Sequence, residues 1–157
     1  MKLARFLGPL FVLAFALGSA QAQQCLHASD ESAPQKERKQ LALGAVRFIN
    51  TAQMYHFRQF GKFVTLKELA SSGAIEEVRS WYNPEGAGMK AIKALDFLAE
   101  LEILPGFEFR LTTNGEAYSL LLRDKTDPCL FTLYSDQVGV IYYGQPIDRP
   151  PSTSPLD

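Results

Sequence analysis

The chain has 157 residues, 46% of them hydrophobic, with 16 Lys+Arg against 17 Asp+Glu, two histidines and two cysteines. That length suits one domain with a real core. The near-neutral balance leaves no electrostatic footprint for DNA or an anionic membrane surface, and two histidines leave little room for histidine-dependent chemistry.

Lys2 and Arg5 precede an apolar run from Phe6 to Leu17, followed by Gly18, Ser19 and the A-x-A sequence Ala20-Gln21-Ala22. Charged start, apolar core and small-residue exit are the layout of a secretory signal, so residues 1–22 are expected to be cleaved. An apolar core of about twelve residues rises only about 18 Å as a helix, well short of a roughly 30 Å hydrocarbon layer, which argues against a retained anchor. Acylation at Cys25 is disfavoured by Gln23 and Gln24, where a lipoprotein signal has small residues. The expected product is exported, periplasmic or extracellular, with no stable membrane anchor. Losing Lys2 and Arg5 leaves 14 Lys+Arg against 17 Asp+Glu, a net charge of −3.

Cys25 and Cys129 survive cleavage. In an oxidising compartment an even pair reads as a disulfide, closing a loop worth on the order of 4–5 kcal/mol by chain entropy. The alternative is a buried Cys129 and a free Cys25 on the chain's new terminus.

Residues 23–34 read as a polar linker. A long amphipathic helix is expected from about Gln35 to Gln59, because Leu41, Ala45, Phe48, Ile49, Ala52 and Tyr55 share a narrow arc. Ala42, Val46, Phe57 and Phe60 widen that arc, and Arg47, Asn50, Thr51 and Arg58 lie opposite. His56 falls inside the apolar arc and reads as a core-edge histidine. After Gly61, Thr65 and Glu68 form a capping box for a short helix, with Val64 and Leu69 as its staple and Gly73 as its stop. Trp81 to Gly86 is a turn-rich loop, and a third helix is expected from about Met89 to Leu104, ended by Pro105-Gly106.

The period then changes to two. Phe107 to Thr112 alternates as a half-buried strand, and Asn114-Gly115 signals a hairpin in which both residues tolerate positive φ. A return strand carries Tyr118, Leu120 and Leu122 on one face. Further strands are expected at Cys129–Tyr134 and Val138–Tyr143, with Ser135-Asp136-Gln137 between them. The tail 145–157, with four prolines, reads as disordered. The fold class is therefore α+β: a long N-terminal helix packed on a four-stranded antiparallel meander, with two shorter helices between.

No catalytic, cofactor-binding or metal-binding residues can be assigned. His27 and His56 lack metal-ligand spacing, and there is no nucleophile elbow, phosphate loop or dinucleotide fingerprint. Asp96 and Glu100 share a helical face but are explained as solvated. Trp81, Tyr82, Tyr142 and Tyr143 could supply a recognition patch, since such residues dominate hot spots, or could close the core.

The order of elements carries a resemblance. A long helix laid on a four-stranded meander resembles the globular half of a type IV pilin or pseudopilin. The wording along the chain agrees: Ala45-Val46-Arg47-Phe48-Ile49-Asn50-Thr51-Ala52-Gln53 with Tyr55 on the helix, Phe60-Gly61-Lys62-Phe63 at its break, then Thr65-Leu66-Lys67-Glu68-Leu69. On the sheet side stand Gly106-Phe107-Glu108-Phe109, Tyr118, Tyr134-Ser135-Asp136 and Gly139-Val140-Ile141. The resemblance spans roughly residues 41–143 and assigns 35–144 to a pilin-like globular domain. The N-terminus departs from the pilin pattern: Gly8 precedes Pro9, Gly18 precedes Ser19, and no acid follows either within the apolar segment. The resemblance thus implies a pilin-like module released from the membrane, without assembly through the usual stem. Its expected role is non-catalytic, binding or assembling with another cell-envelope, secretion or pilus component. The competing reading is a small secreted enzyme or ligand carrier whose site is not visible as a motif.

Overall fold

The computed structural model describes residues 32–99, 101–127 and 130–144. The expected signal, Cys25, Cys129 and the tail 145–157 lie outside the described residues. The chain is α+β: helices α1 (Ala33–Phe60), α2 (Leu66–Ser71), α3 (Ala74–Ser80) and α4 (Ala87–Lys93) precede strands β1 (Phe107–Thr113), β2 (Tyr118–Asp124), β3 (Thr132–Asp136) and β4 (Ile141–Gly144).

Helix α1 starts two residues earlier than its apolar period indicates. The Ser32 N–H donates to Gln35 Oε1 at 2.8 Å, and Pro34 costs nothing in a first turn whose N–H groups have no intrahelical acceptor. Gly61 ends the helix in the left-handed region at φ 72°, its N–H returning to the Phe57 carbonyl at 2.7 Å. The capping box of α2 is present: the Thr65 N–H donates to Glu68 Oε2 at 3.0 Å, and the Glu68 N–H to Thr65 Oγ1 at 3.3 Å. Val64 and Leu69 are both buried beneath it.

Three short helices, not two, join α1 to the sheet. Residues 74–80, which carried no helical expectation, form α3, and the expected helix over 89–104 stops at Lys93. Beyond it the chain folds back on itself. The Asp96 N–H donates to the Ile103 carbonyl at 2.8 Å, and the Phe109 N–H on the edge strand β1 donates to Leu101 at 2.9 Å. Capping that strand edge, burying Ile103 and Leu104 and partly burying Phe97 outweighs helix propensity in this stretch. Leu98 and Leu101 are left facing solvent.

The sheet is an antiparallel meander in the order β1-β2-β3-β4. Phe109 stands opposite Leu122, which stands opposite Leu133, so the pleat puts Phe107, Phe109, Tyr118, Leu120, Leu122, Leu133 and Ser135 on the covered face. Several boundaries differ from expectation, with β3 beginning at Thr132 and β4 at Ile141. Asn114 does not adopt positive φ; the β1–β2 loop is four residues long, with only Gly115 left-handed at φ 93°. The Asn114 side chain instead closes the loop, accepting from the N–H groups of Glu116 and Ala117 at 3.0 and 2.9 Å. Strand β3 runs on to Asp136 and the turn falls at 137–140. There the Asp136 carboxylate accepts from Val138 N–H at 2.9 Å, and Gly139 takes φ 80°.

Helix α1 packs against α3 and α4 on one side and against β2 and β3 on another. Ala42, Ala45, Val46, Phe48, Ile49 and Ala52 are buried there, while Phe60 is exposed. Gly44 lets α4 approach closely, since a Cβ at this position would lie 2.6 Å from Ala91 Cβ.

Candidate interaction face

The four aromatic residues singled out from sequence are not assembled into one patch. The indole of Trp81, which caps α3, packs edge-on against Tyr55 with ring centroids 5.5 Å apart, and Trp81 remains 54% exposed. Tyr82 turns inward, half-buried, its ring 5.8 Å from Phe48. On β4 the pleat sends Tyr142 and Tyr143 to opposite faces. Tyr142 pairs with Tyr134 on the outer face at 6.3 Å, and Tyr143 lies 6.2 Å from Phe131 and 5.2 Å from the Lys39 ammonium. Lys39 and Tyr55 are sixteen residues apart on α1, roughly 24 Å along its axis. Trp81 and Tyr143 therefore mark different ends of the molecule.

Trp81 instead joins a surface that sequence reasoning had divided. Arg47, Thr51, Met54 and Arg58 recur at i, i+4, i+7 and i+11, within an arc of about 60° on α1. With Asn50, Tyr55 and Trp81, the last three of them line an open, mostly apolar groove of ≈ 260 Å³. Arg47 and Arg58 are exposed. Trp81 Nε1 donates to Glu77 Oε1 at 3.2 Å, which holds the indole at the groove rim. The polar stripe was legible as the side of α1 opposite its apolar arc. Its junction with Trp81 was not, because α3 was not expected.

Asn50, placed with the outward residues by helical phase, is in fact buried. Its amide Nδ2 donates to Ser135 Oγ at 2.7 Å, its Oδ1 accepts from the Tyr118 hydroxyl at 2.9 Å, and Ser135 Oγ donates to the Val140 carbonyl at 2.9 Å. This chain of polar contacts ties α1 to β2 and β3 from beneath the groove. Burial, assisted by the charge of Asp136, pushes the Tyr118 phenol well above its usual range, so it remains a neutral donor. Gln53 is likewise buried, bonding both the carbonyl and the N–H of Val64 at 2.6 and 3.2 Å. His56 sits at the core edge as expected, with Nδ1 2.9 Å from the Lys62 carbonyl, which assigns the proton to that nitrogen. These groups are occupied in holding the fold.

A second groove of ≈ 380 Å³ lies between the first turns of α1 and the 104–107 segment. Its two charged residues are already engaged: Glu37 by Lys90, and Arg38 by Asp124. Arg38 grips the fully buried Asp124 carboxylate bidentately, with Nη2 2.8 Å from Oδ1 and 3.1 Å from the Gly106 carbonyl. Burial works to raise the Asp124 carboxyl, but hydrogen bonds from Arg38 and Thr126 outweigh it and hold the group below the ordinary range. The arrangement is a clasp between the start of α1 and the end of β2.

Among the described residues, no three or more His, Cys, Asp or Glu gather where a metal ion could be held, and no helix is long and apolar enough to cross a membrane. No family model matches the chain, and no curated protein or solved structure matches it either.

Proposed function

We propose that this chain is an exported, non-catalytic pilin-like module, resembling the globular half of a type IV pilin or pseudopilin without the stem. It binds or assembles with another cell-envelope, secretion or pilus component. The signal at residues 1–22 directs export and is removed, and the mature protein works in the periplasm or outside the cell. The arrangement of an amphipathic α1 on the meander supports the pilin-like reading.

The observation that carries the binding role is the exposed Trp81 at the rim of an open apolar groove. An indole held in place by Tyr55 and Glu77 presents rigid apolar area with little entropy to lose on association. A shallow groove of this kind suits a protein surface better than a small substrate, which calls for an enclosed site with convergent polar groups. In the test, a photo-crosslinking residue replaces Trp81 in the full chain, expressed in a host that exports it. Intact mass should show a chain beginning at Gln23, and irradiation should give a discrete adduct with a second envelope protein. An unprocessed chain, or irradiated protein that stays monomeric and carries only a small molecule, overturns the reading.

A further inference from the structure

We propose that the outward stripe of α1 is a docking site for an acidic segment of a partner protein, gripped by Arg47 and Arg58 with Trp81 as its apolar anchor. This rests on the binding role proposed above and specifies the chemistry of the partner. Six arginines lie among the described residues. Four are held by carboxylates: Arg38 by Asp124, Arg79 by Glu76, and Arg110 and Arg123 by Glu108. The remaining two, Arg47 and Arg58, have no carboxylate partner among the described residues, and both stand on the one stripe that borders Trp81.

A chain with an excess of acid offers many surface carboxylates, yet among the described residues none is placed against these two. Guanidinium groups match carboxylates in planar, bidentate geometry, so the pair is set to receive acids from elsewhere. Eleven residues separate them on α1, a rise of about 16 Å. An extended strand advances about 3.3 Å per residue, so acids roughly four to six residues apart on an extended segment would reach both. An aromatic or aliphatic residue between those acids would lie over Met54 and Trp81. Arginine and tryptophan are the residues that most often dominate binding at protein interfaces. Exposed Glu76 and Glu77 on the neighbouring α3 oppose a broad polyanion such as DNA or an anionic bilayer while leaving room for spaced, single carboxylates.

The test uses the full chain and a phage library of random 12-residue peptides. Peptides selected on the wild-type protein should be enriched in Asp and Glu flanking an apolar residue, and should bind more weakly as salt rises. They should bind Arg47→Glu/Arg58→Glu at least tenfold more weakly, and Trp81→Ala several-fold more weakly. Lys67→Glu/Lys93→Glu, which makes the same charge change at exposed positions elsewhere, should bind as wild type. Circular dichroism and thermal midpoints check that each variant is folded, and Arg47→Gln/Arg58→Gln replaces the charge reversal if that pair unfolds. Peptides without acidic enrichment, no selected peptides, or equal losses in the two charge-reversed pairs would overturn the proposal. So would self-association or binding to phosphatidylglycerol vesicles that is lost in the arginine variants, since either assigns the stripe to a different occupant. An envelope-protein adduct at Trp81 alongside a failed peptide test would leave the binding role standing and remove only the acidic partner.

Discussion

Truncating Phe48 to Ala tests the packing on which every other feature rests. Phe48 is fully buried on α1, and its ring lies 5.8 Å from Tyr82 and 5.9 Å from Phe97. Those partners come from the segments after α3 and α4, so this one side chain joins the long helix to both connecting stretches. Removing a buried phenylalanine costs about 3–5 kcal/mol through lost transfer energy and the cavity left behind, against a total stability of about 5–15 kcal/mol for a domain. The rigid seat of Phe48 favours the upper half of that range, because Gly44 already brings α4 into contact and little slack remains to close the cavity. Arg47, the preceding residue, is exposed, so Arg47→Ala should change stability by no more than about 0.5 kcal/mol. With an m-value of about 1–3 kcal/mol/M, urea unfolding should place the Phe48→Ala midpoint on the order of 2 M below wild type, with Arg47→Ala unmoved. Similar, small losses at the two positions would mean that α1 stands away from the rest of the molecule.

Two further outcomes follow from the buried polar groups. Asn50→Ala leaves the Tyr118 hydroxyl without its acceptor and should cost about 1–3 kcal/mol in urea unfolding; adding Tyr118→Phe should then cost little more, and fully additive losses would refute the coupling. For Asp124, the folded-state value is depressed, so its stabilisation is present at neutral pH and is lost as pH falls from its ordinary value of 3.8 through the lower folded value. The stability difference between wild type and Asp124→Asn, followed by thermal unfolding, should therefore shrink below pH 3.8, and a difference independent of pH across that range would refute the assignment.

Local chemistry was legible where neighbours in the chain supply the partners. The capping box at Thr65 and Glu68, the stop at Gly61, the alternation from Phe107 to Thr112 and the burial of His56 each depend on residues a few positions apart or on a single helical phase. The same phase misplaced Asn50. Its angle on α1 sets it toward the outward stripe, and only the approach of Tyr118 and Ser135 makes that angle an interior one. Helical pattern also overreached at 94–104, where Leu95, Leu98, Leu101 and Leu104 would suit a continued helix.

What the sequence by itself determined, then, was the class of each long element and their order: one long helix, then short helices, then four strands joined by tight turns. Those follow from the periods 3.6 and 2.0 and from turn chemistry, which act within a few residues. Tertiary structure alone decided that residues 94–99 and 101–104 leave the helix to cap the edge of β1, since that benefit exists only once the strand is in place. It also decided that Asp124 is clasped by Arg38 across 86 residues of chain, and that, among the described residues, four arginines find carboxylates while Arg47 and Arg58 do not. An ion pair is settled by which charges the finished fold brings within a few ångströms of each other, and no spacing along the chain encodes that distance.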